Sequence, residues 1–168
     1  MKLLLCFPVL LLATTQHGIA AVAALGDFEL SDQHARPRKY VFPKSKVTVI
    51  TVADHKGSDQ LAPWVARLYG RYQQRIDIDG IADVSMIPKP FHGLLRSEFR
   101  KRLTYSVMLD WNGAVVRQFG FRAGVANLYV IDRRGRILKT ITGPVSDAAM
   151  AELSRGIDRA IALSAARE

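Results

Sequence analysis

Between Lys46 and Ala53 the chain reads KVTVITVA, apolar or β-branched at nearly every position. Such a run predicts a strand buried on both faces. The pattern then changes. A polar stretch from Asp54 to Asp59 leads into Leu61, Trp64, Val65, Leu68, Tyr69 and Tyr72, spaced as on one side of a helix. That spacing predicts an amphipathic helix of about three turns. Gly57 to Asp59 turns the chain, and Ser58 or Asp59 is placed to cap the helix. Pro63 falls within the first turn, where a missing N–H costs little.

The same two periods divide the rest of the chain. Asp27–Phe42 reads as a strand, a turn and a second strand, with Phe28 and Leu30 alternating with polar residues. Pro37 argues that the second of these is not a central strand. Arg75–Ser85 alternates as a strand, and MIPKP is a loop. Phe91, Leu94, Leu95 and Phe99 form a second helical stripe, read as one core face and one solvated face. Tyr105–Gly113 is a strand ending in a turn, followed by a short helix over Ala114–Phe119. Asn127–Asp132 and Arg136–Gly143 form a hairpin in which Gly135 supplies a positive φ. Ser146 is placed to cap a last helix with Met150, Leu153, Ile157 and Ile161 inward. The predicted order is β-β-β-α-β-α-β-(α)-β-β-α, an α/β domain with a central sheet covered on both faces.

The amino terminus follows another logic. Met1-Lys2 is a short positive region, Leu3–Ala13 is apolar, and AVAA at Ala21–Ala24 supplies small residues for a cut after Ala23. This is the order of a secretory signal peptide. Thr14–Gly18 interrupts the apolar run, which falls short of the roughly 18 continuous residues of a membrane span. Residues 1–23 are therefore expected to be a leader and 24–168 a single exported domain, periplasmic or in an equivalent space. Cys6 is the only cysteine. It leaves with the leader, so the mature chain has neither a disulfide nor a thiolate nucleophile. Of 168 residues, 24 are Lys or Arg and 15 are Asp or Glu. Losing Lys2 takes the formal charge from +9 to +8. Such a chain attracts anionic partners, including, weakly, anionic lipid surfaces.

Local sequence sharpens the class. FELSDQHAR resembles the opening strand and turn of redoxins. KVTVITVA resembles the strand that leads to their active site. VMLDWNGAVVRQFGFRAGVANLYVIDRRGRILKTITGP resembles their core, last hairpin and entry to the final helix. The resemblance covers nearly all of the mature chain. It implies the redoxin branch of the thioredoxin-like fold, a mixed central sheet with helices on both faces. Nearest in kind are the YtfJ-like exported proteins, which lack the paired cysteines. Two departures matter. The Cys-x-x-Cys positions of that fold fall near Gly57 and Gln60. The residue at the place of its cis-proline is Ala126, where a trans bond is expected, since a non-proline cis bond costs about 3 kcal/mol. Thiol catalysis therefore cannot be carried over onto these residues.

The candidate site is the strand-helix junction. Asp54, His55, Lys56, Gly57 and Ser58, with Asn127 from the facing loop, are the candidate ligand-binding residues. The helix start and Lys56 are suited to a small anion or to an anionic part of a protein or peptide; a solvated, capped turn is the plainer reading. No catalytic residue, metal ligand set or cofactor is assigned. His34, His55 and His92 are scattered, and no further ligands stand at metal-binding spacing. A Ser58–His55–Asp triad lacks a strained nucleophile turn. A thiol-independent enzyme using Asp54–Asp59, with or without a metal, and an accessory to a thiol-bearing antioxidant system are the alternatives. The basic clusters Arg96–Arg102 and Arg133–Lys139 are not assigned to nucleic acid, which an exported protein does not routinely meet.

Overall fold

The computed structural model describes residues 24–166; the predicted leader and Cys6 lie outside them. The elements follow the predicted order. They are β1 (Phe28–Asp32), β2 (Pro37–Tyr40), β3 (Thr48–Ala53), α1 (Leu61–Tyr72), β4 (Asp77–Asp83), α2 (His92–Arg102), β5 (Val107–Asp110), α3 (Ala114–Gln118), β6 (Asn127–Ile131), β7 (Ile137–Thr142) and α4 (Asp147–Ala165). The strands form one sheet in the order β2-β1-β5-β4-β3-β6-β7. β3, β4 and β5 run parallel, while the strands at either side pair antiparallel. β3 lies inside the sheet between β4 and β6, and all six of its residues are buried. Pro37 begins the edge strand β2, where its missing N–H leaves no ladder bond unmade.

Alternation along the strands sorts the core into two layers. Val49, Leu128 and Val130 face Trp64, Leu68 and Tyr72 of α1 and Leu153, Ile157 and Ala160 of α4. Ile50, Val52, Ile81, Met108 and Tyr129 face the opposite way, onto Val115, Val116 and Phe119 around α3 and onto Phe28 and Tyr40. Val107 and Leu109 flank Met108, so they return to the α1 side, where Leu95 and Phe99 of α2 lie over them. Two buried donors tie α1 to the carboxyl-terminal elements. Trp64 Nε1 donates to Gly143 O at 3.0 Å, and Tyr72 Oη donates to Ser154 O at 3.2 Å. Ser146 Oγ accepts the Ala149 N–H at 3.1 Å, the predicted cap of α4.

α2 departs from expectation. It contains no buried residue. Leu95 and Phe99 are half-buried, while Phe91 and Leu94 are 55% and 63% exposed. The stripe is wider than the surface offered by Val84, Val107 and Leu109, so only half of it is covered.

Two hairpins use one device. Asp32 Oδ1 accepts the His34 and Arg36 N–H groups at 2.8 and 3.0 Å, and Oδ2 pairs with the Arg36 guanidinium. Asp132 does the same with the Arg134 and Arg136 N–H groups, both at 2.9 Å, and with the Arg136 guanidinium. The fourth residue of each turn must have positive φ. In the second it is Gly135, φ 85°; in the first it is Ala35, φ 61°. Alanine crowds its Cβ in that region and glycine does not. Ala35→Gly is expected to stabilise the fold by about 0.5–1 kcal/mol. A urea midpoint that falls would contradict this.

Burial alone would raise the Asp32 carboxyl. The Arg36 N–H, Ser106 hydroxyl, Arg36 guanidinium and His34 N–H outweigh it and hold the group at about 2. A carboxylate depressed in the folded state stabilises fully above its unfolded value near ~4 and loses that contribution as pH falls through the folded value. The stability advantage of wild type over Asp32→Asn should therefore shrink by about 2 kcal/mol between about pH 5 and about pH 2. An advantage independent of pH across that window would show that the carboxylate is not held this way.

Candidate functional site

At the carboxyl end of β3 the chain leaves the sheet through Asp54. Its side chain decides the local structure. Oδ1 accepts the Gly57 N–H at 2.8 Å and closes the turn. Oδ2 accepts the Gly124 N–H at 2.8 Å and binds the loop that precedes β6. Ser58 N–H donates to Asp54 O at 3.0 Å, and a single 3-10 turn, Ser58–Gln60, leads into α1. Neither Ser58 nor Asp59 caps α1 with its side chain. The Asp54 carboxylate and the 3-10 turn occupy the place the predicted cap would have taken.

The facing loop is fixed from both sides. Gln60 Oε1 accepts the Ala126 N–H at 3.1 Å. Asn127 is fully buried. Its Oδ1 accepts the Arg122 N–H at 3.0 Å, and its Nδ2 donates to Arg122 O at 2.8 Å and Val125 O at 2.9 Å. Gly57 is buried against this loop, and a Cβ built on it would stand 2.4 Å from Val125 O. A side chain cannot enter there without moving backbone. The Val125–Ala126 bond is trans; Phe42–Pro43 is the cis bond among the described residues.

The six predicted residues thus separate into two groups. Asp54, Gly57 and Asn127 hold the two loops together. His55, Lys56 and Ser58 are exposed at the rim, beside Arg122 and Ala123 of the facing loop. Ser58 Oγ donates to the backbone O of His55 at 2.8 Å, so the hydroxyl serves the turn and is not aligned with the His55 ring. The buried amide of Asn127 spends its groups on its own loop and does not converge with the His55 and Lys56 side chains on a pocket. Among the described residues no three His, Cys, Asp or Glu side chains cluster as a metal would require. His92 is used elsewhere, stacked on Trp111 with ring centroids 3.7 Å apart. Gln60 was not singled out by sequence as a binding residue, yet with Asp54 it forms the bridge between the loops. Its polarity, at a position where the fold otherwise carries sulfur, was the available signal.

No family model matches the chain, and no curated protein matches it either. Solved structures do. A hypothetical protein from Sinorhizobium meliloti superposes with a TM-score of 0.64 at 17% identity, covering 86% of each chain. A DsbE-type thiol:disulfide interchange protein from Chlorobium tepidum gives 0.62 at 17% identity, over 83% of this chain and 96% of that one. The exposed lipoprotein thioredoxin of Streptococcus pneumoniae gives 0.61 at 18%, over 77% and 98%.

The chain has the thioredoxin-like fold. Gly57 and Gln60, the expected places of the cysteine pair in that fold, both contact the loop that carries Ala126, the expected place of its proline. Backbone-directed polar groups hold the two loops of this junction in contact.

Removing the Asp54 carboxylate deletes two charge-assisted bonds across this contact. Asp54→Ala should cost about 2–4 kcal/mol in urea denaturation. Gly57→Ala should cost about 1–3 kcal/mol through overpacking against Val125. A change below about 0.5 kcal/mol in both, the range of an ordinary surface substitution, would mean that the loops are not held this way.

Proposed function

We propose that this is an exported thioredoxin-like protein that performs no thiol exchange and binds a partner at the former redox face. In this reading it stands with the exported redoxin-like proteins that lack paired cysteines, and residues 1–23 are removed on export. The carrying observation is the bridge from Asp54 to Gly57 and Gly124. It closes the turn against the facing loop, so that even a Cβ at Gly57, the expected place of the first cysteine, would meet Val125 O, whereas thiol exchange needs a sulfur that can be attacked and leave. The single cysteine of the chain, Cys6, lies in the segment read as the leader.

The chemistry of the rim supports an anionic partner. His55, Lys56 and Arg122 are exposed there, with Asp59 the neighbouring exposed carboxylate. The rim is formed by two abutting loops, which suits an acidic segment of a protein or peptide lying across it. A small anion at the same residues is the narrower form of the same reading. The association of the basic mature chain with anionic lipid remains a secondary, nonspecific attraction.

Two measurements test this. Reduced full-length protein and its Cys6→Ser variant should be equally inactive in reduction of a disulfide substrate; activity that depends on Cys6 overturns the reading. Titration of the mature chain with a glutamate-rich peptide should shift the amides of His55–Ser58 and Arg122–Val125. Lys56→Glu with Arg122→Glu should weaken that binding by about tenfold, as expected when two charge-assisted contacts reverse sign. No shift at these amides removes the junction as the binding face.

A further inference from the structure

The opposite end of the sheet carries the larger concentration of chemistry. Lys46 precedes β3 and Asp54 follows it, so the two ends lie roughly 25 Å apart along an extended strand. A cavity of about 400 Å³ opens there between Arg38, Lys44 and Lys46 on one side and Gln73 and Gln74 on the other. A second, of about 570 Å³, continues from Gln73 and Gln74 to Arg71 and Arg75. The two glutamines are shared, so the cavities form one cleft around the end of α1.

The cleft is basic, and its cations are only loosely engaged. Asp77 and Asp79 also line it. Arg38 reaches Asp79 at 3.4 Å, Lys44 reaches Asp77 and Asp79 at 3.7 and 3.8 Å, and Lys46 reaches Asp77 at 4.0 Å. Arg71 reaches Asp158 at 3.8 Å. Charge-assisted bonds are nearer 2.7–2.9 Å, so these N–H groups keep donor capacity. Asp79 spends Oδ2 on the Tyr40 hydroxyl. Burial, then the Asp79 charge, raises the Tyr40 phenol above its ordinary value and keeps it a donor to that carboxylate. Arg75 has no carboxylate partner among the described residues and lies over the Tyr72 ring.

The seam of the cleft is strained. Gln73, shared by both halves, has φ 48° and ψ −120°. A non-glycine residue rarely adopts this conformation, and such strain concentrates at functional positions. It turns the chain sharply at the end of α1 and sets two exposed amide side chains between two groups of cations. Amide donors flanked by arginine and lysine recognise phosphoryl oxygens.

We propose that this cleft binds a multivalent phosphate-bearing anion, with Arg38, Lys44, Lys46 and Arg75 as charge donors and Gln73 and Gln74 as amide donors. The same chemistry is offered by a free polyphosphate and by the head groups of anionic lipid. The site is separate from the junction and does not depend on its role.

The test uses the mature chain and inorganic tripolyphosphate. Saturable binding by calorimetry should accompany amide shifts centred on Gln73, Gln74 and Ile76. Lys46→Glu with Arg75→Glu should weaken it by about tenfold or more. Lys89→Glu with Lys101→Glu changes net charge equally at α2 and the turn before it, outside the cleft lining, and should leave it near the wild-type value. Flotation with phosphatidylglycerol but not phosphatidylcholine vesicles, competed by tripolyphosphate, identifies the lipid head group as the source. Tripolyphosphate binding without flotation identifies a free polyphosphate. Absence of saturable binding, equal weakening in both double variants, or shifts confined to His55–Ser58 overturns the proposal. The wild-type shift map stands as the deciding measurement should the cleft variant fail to fold.

Discussion

One carboxylate holds the strand-helix junction and the loop facing it together. Asp54 sits where β3 leaves the sheet, and its two oxygens accept N–H groups from Gly57, in its own turn, and from Gly124, 70 residues further along the chain. A carboxylate is suited to this because it accepts on both oxygens, and its charge strengthens each bond. With Gln60 and Asn127 it bonds the backbone N–H groups of Arg122, Gly124 and Ala126 and the carbonyls of Arg122 and Val125 in the facing loop. In a thioredoxin-like fold with a thiol site, this junction must stay open enough for a sulfur to be attacked. Here backbone meets backbone across Gly57, and the junction is a fixed surface.

The basic composition has a similar division of labour. The two clusters that stand out in the sequence are largely spent within the molecule. Arg96 lies over Trp111, Arg100 donates to Gln33 O, and Lys101 and Arg102 pair with Glu98. Arg133 donates to Lys44 O, Arg136 pairs with Asp132, and Lys139 pairs with Glu152. The cations at the two ends of β3 come from other parts of the chain: Arg38, Lys44 and Lys46 from the segment before β3, Arg71 and Arg75 from the end of α1, and Lys56 and Arg122 from the junction loops. Which basic residues stay free of close internal partners is therefore decided by tertiary placement and not by the density of charge in the sequence.

Most of the fold was legible because its signals are local. The apolar run of β3, the helical spacing of Trp64, Leu68 and Tyr72, the edge proline of β2 and the Ser146 cap each follow from neighbours a few residues apart. The strand-to-helix transition at Asp54–Leu61 was legible from the change of hydrophobic period. What could not be read depends on distant pairing. Asp54 resembles any polar loop residue until Gly124 is beside it. Asn127 resembles a ligand-facing amide until its three bonds to its own loop are seen. Ala35 gave no sign of positive φ, because the hydrogen bonds of Asp32, not the preference of alanine, impose it. The wide stripe of α2 did not reveal that the sheet beneath it is too narrow to cover it.

Amide hydrogen exchange on the mature chain tests the closed junction most directly. The N–H groups of Gly57, Gly124 and Ala126 are bonded to side chains and lie outside the strand ladders, so their protection reports on these bridges alone. Protection comparable to that of β3 amides is the predicted result. Exchange at the rate of an unstructured loop would show that the two loops part freely and that the junction is an open site.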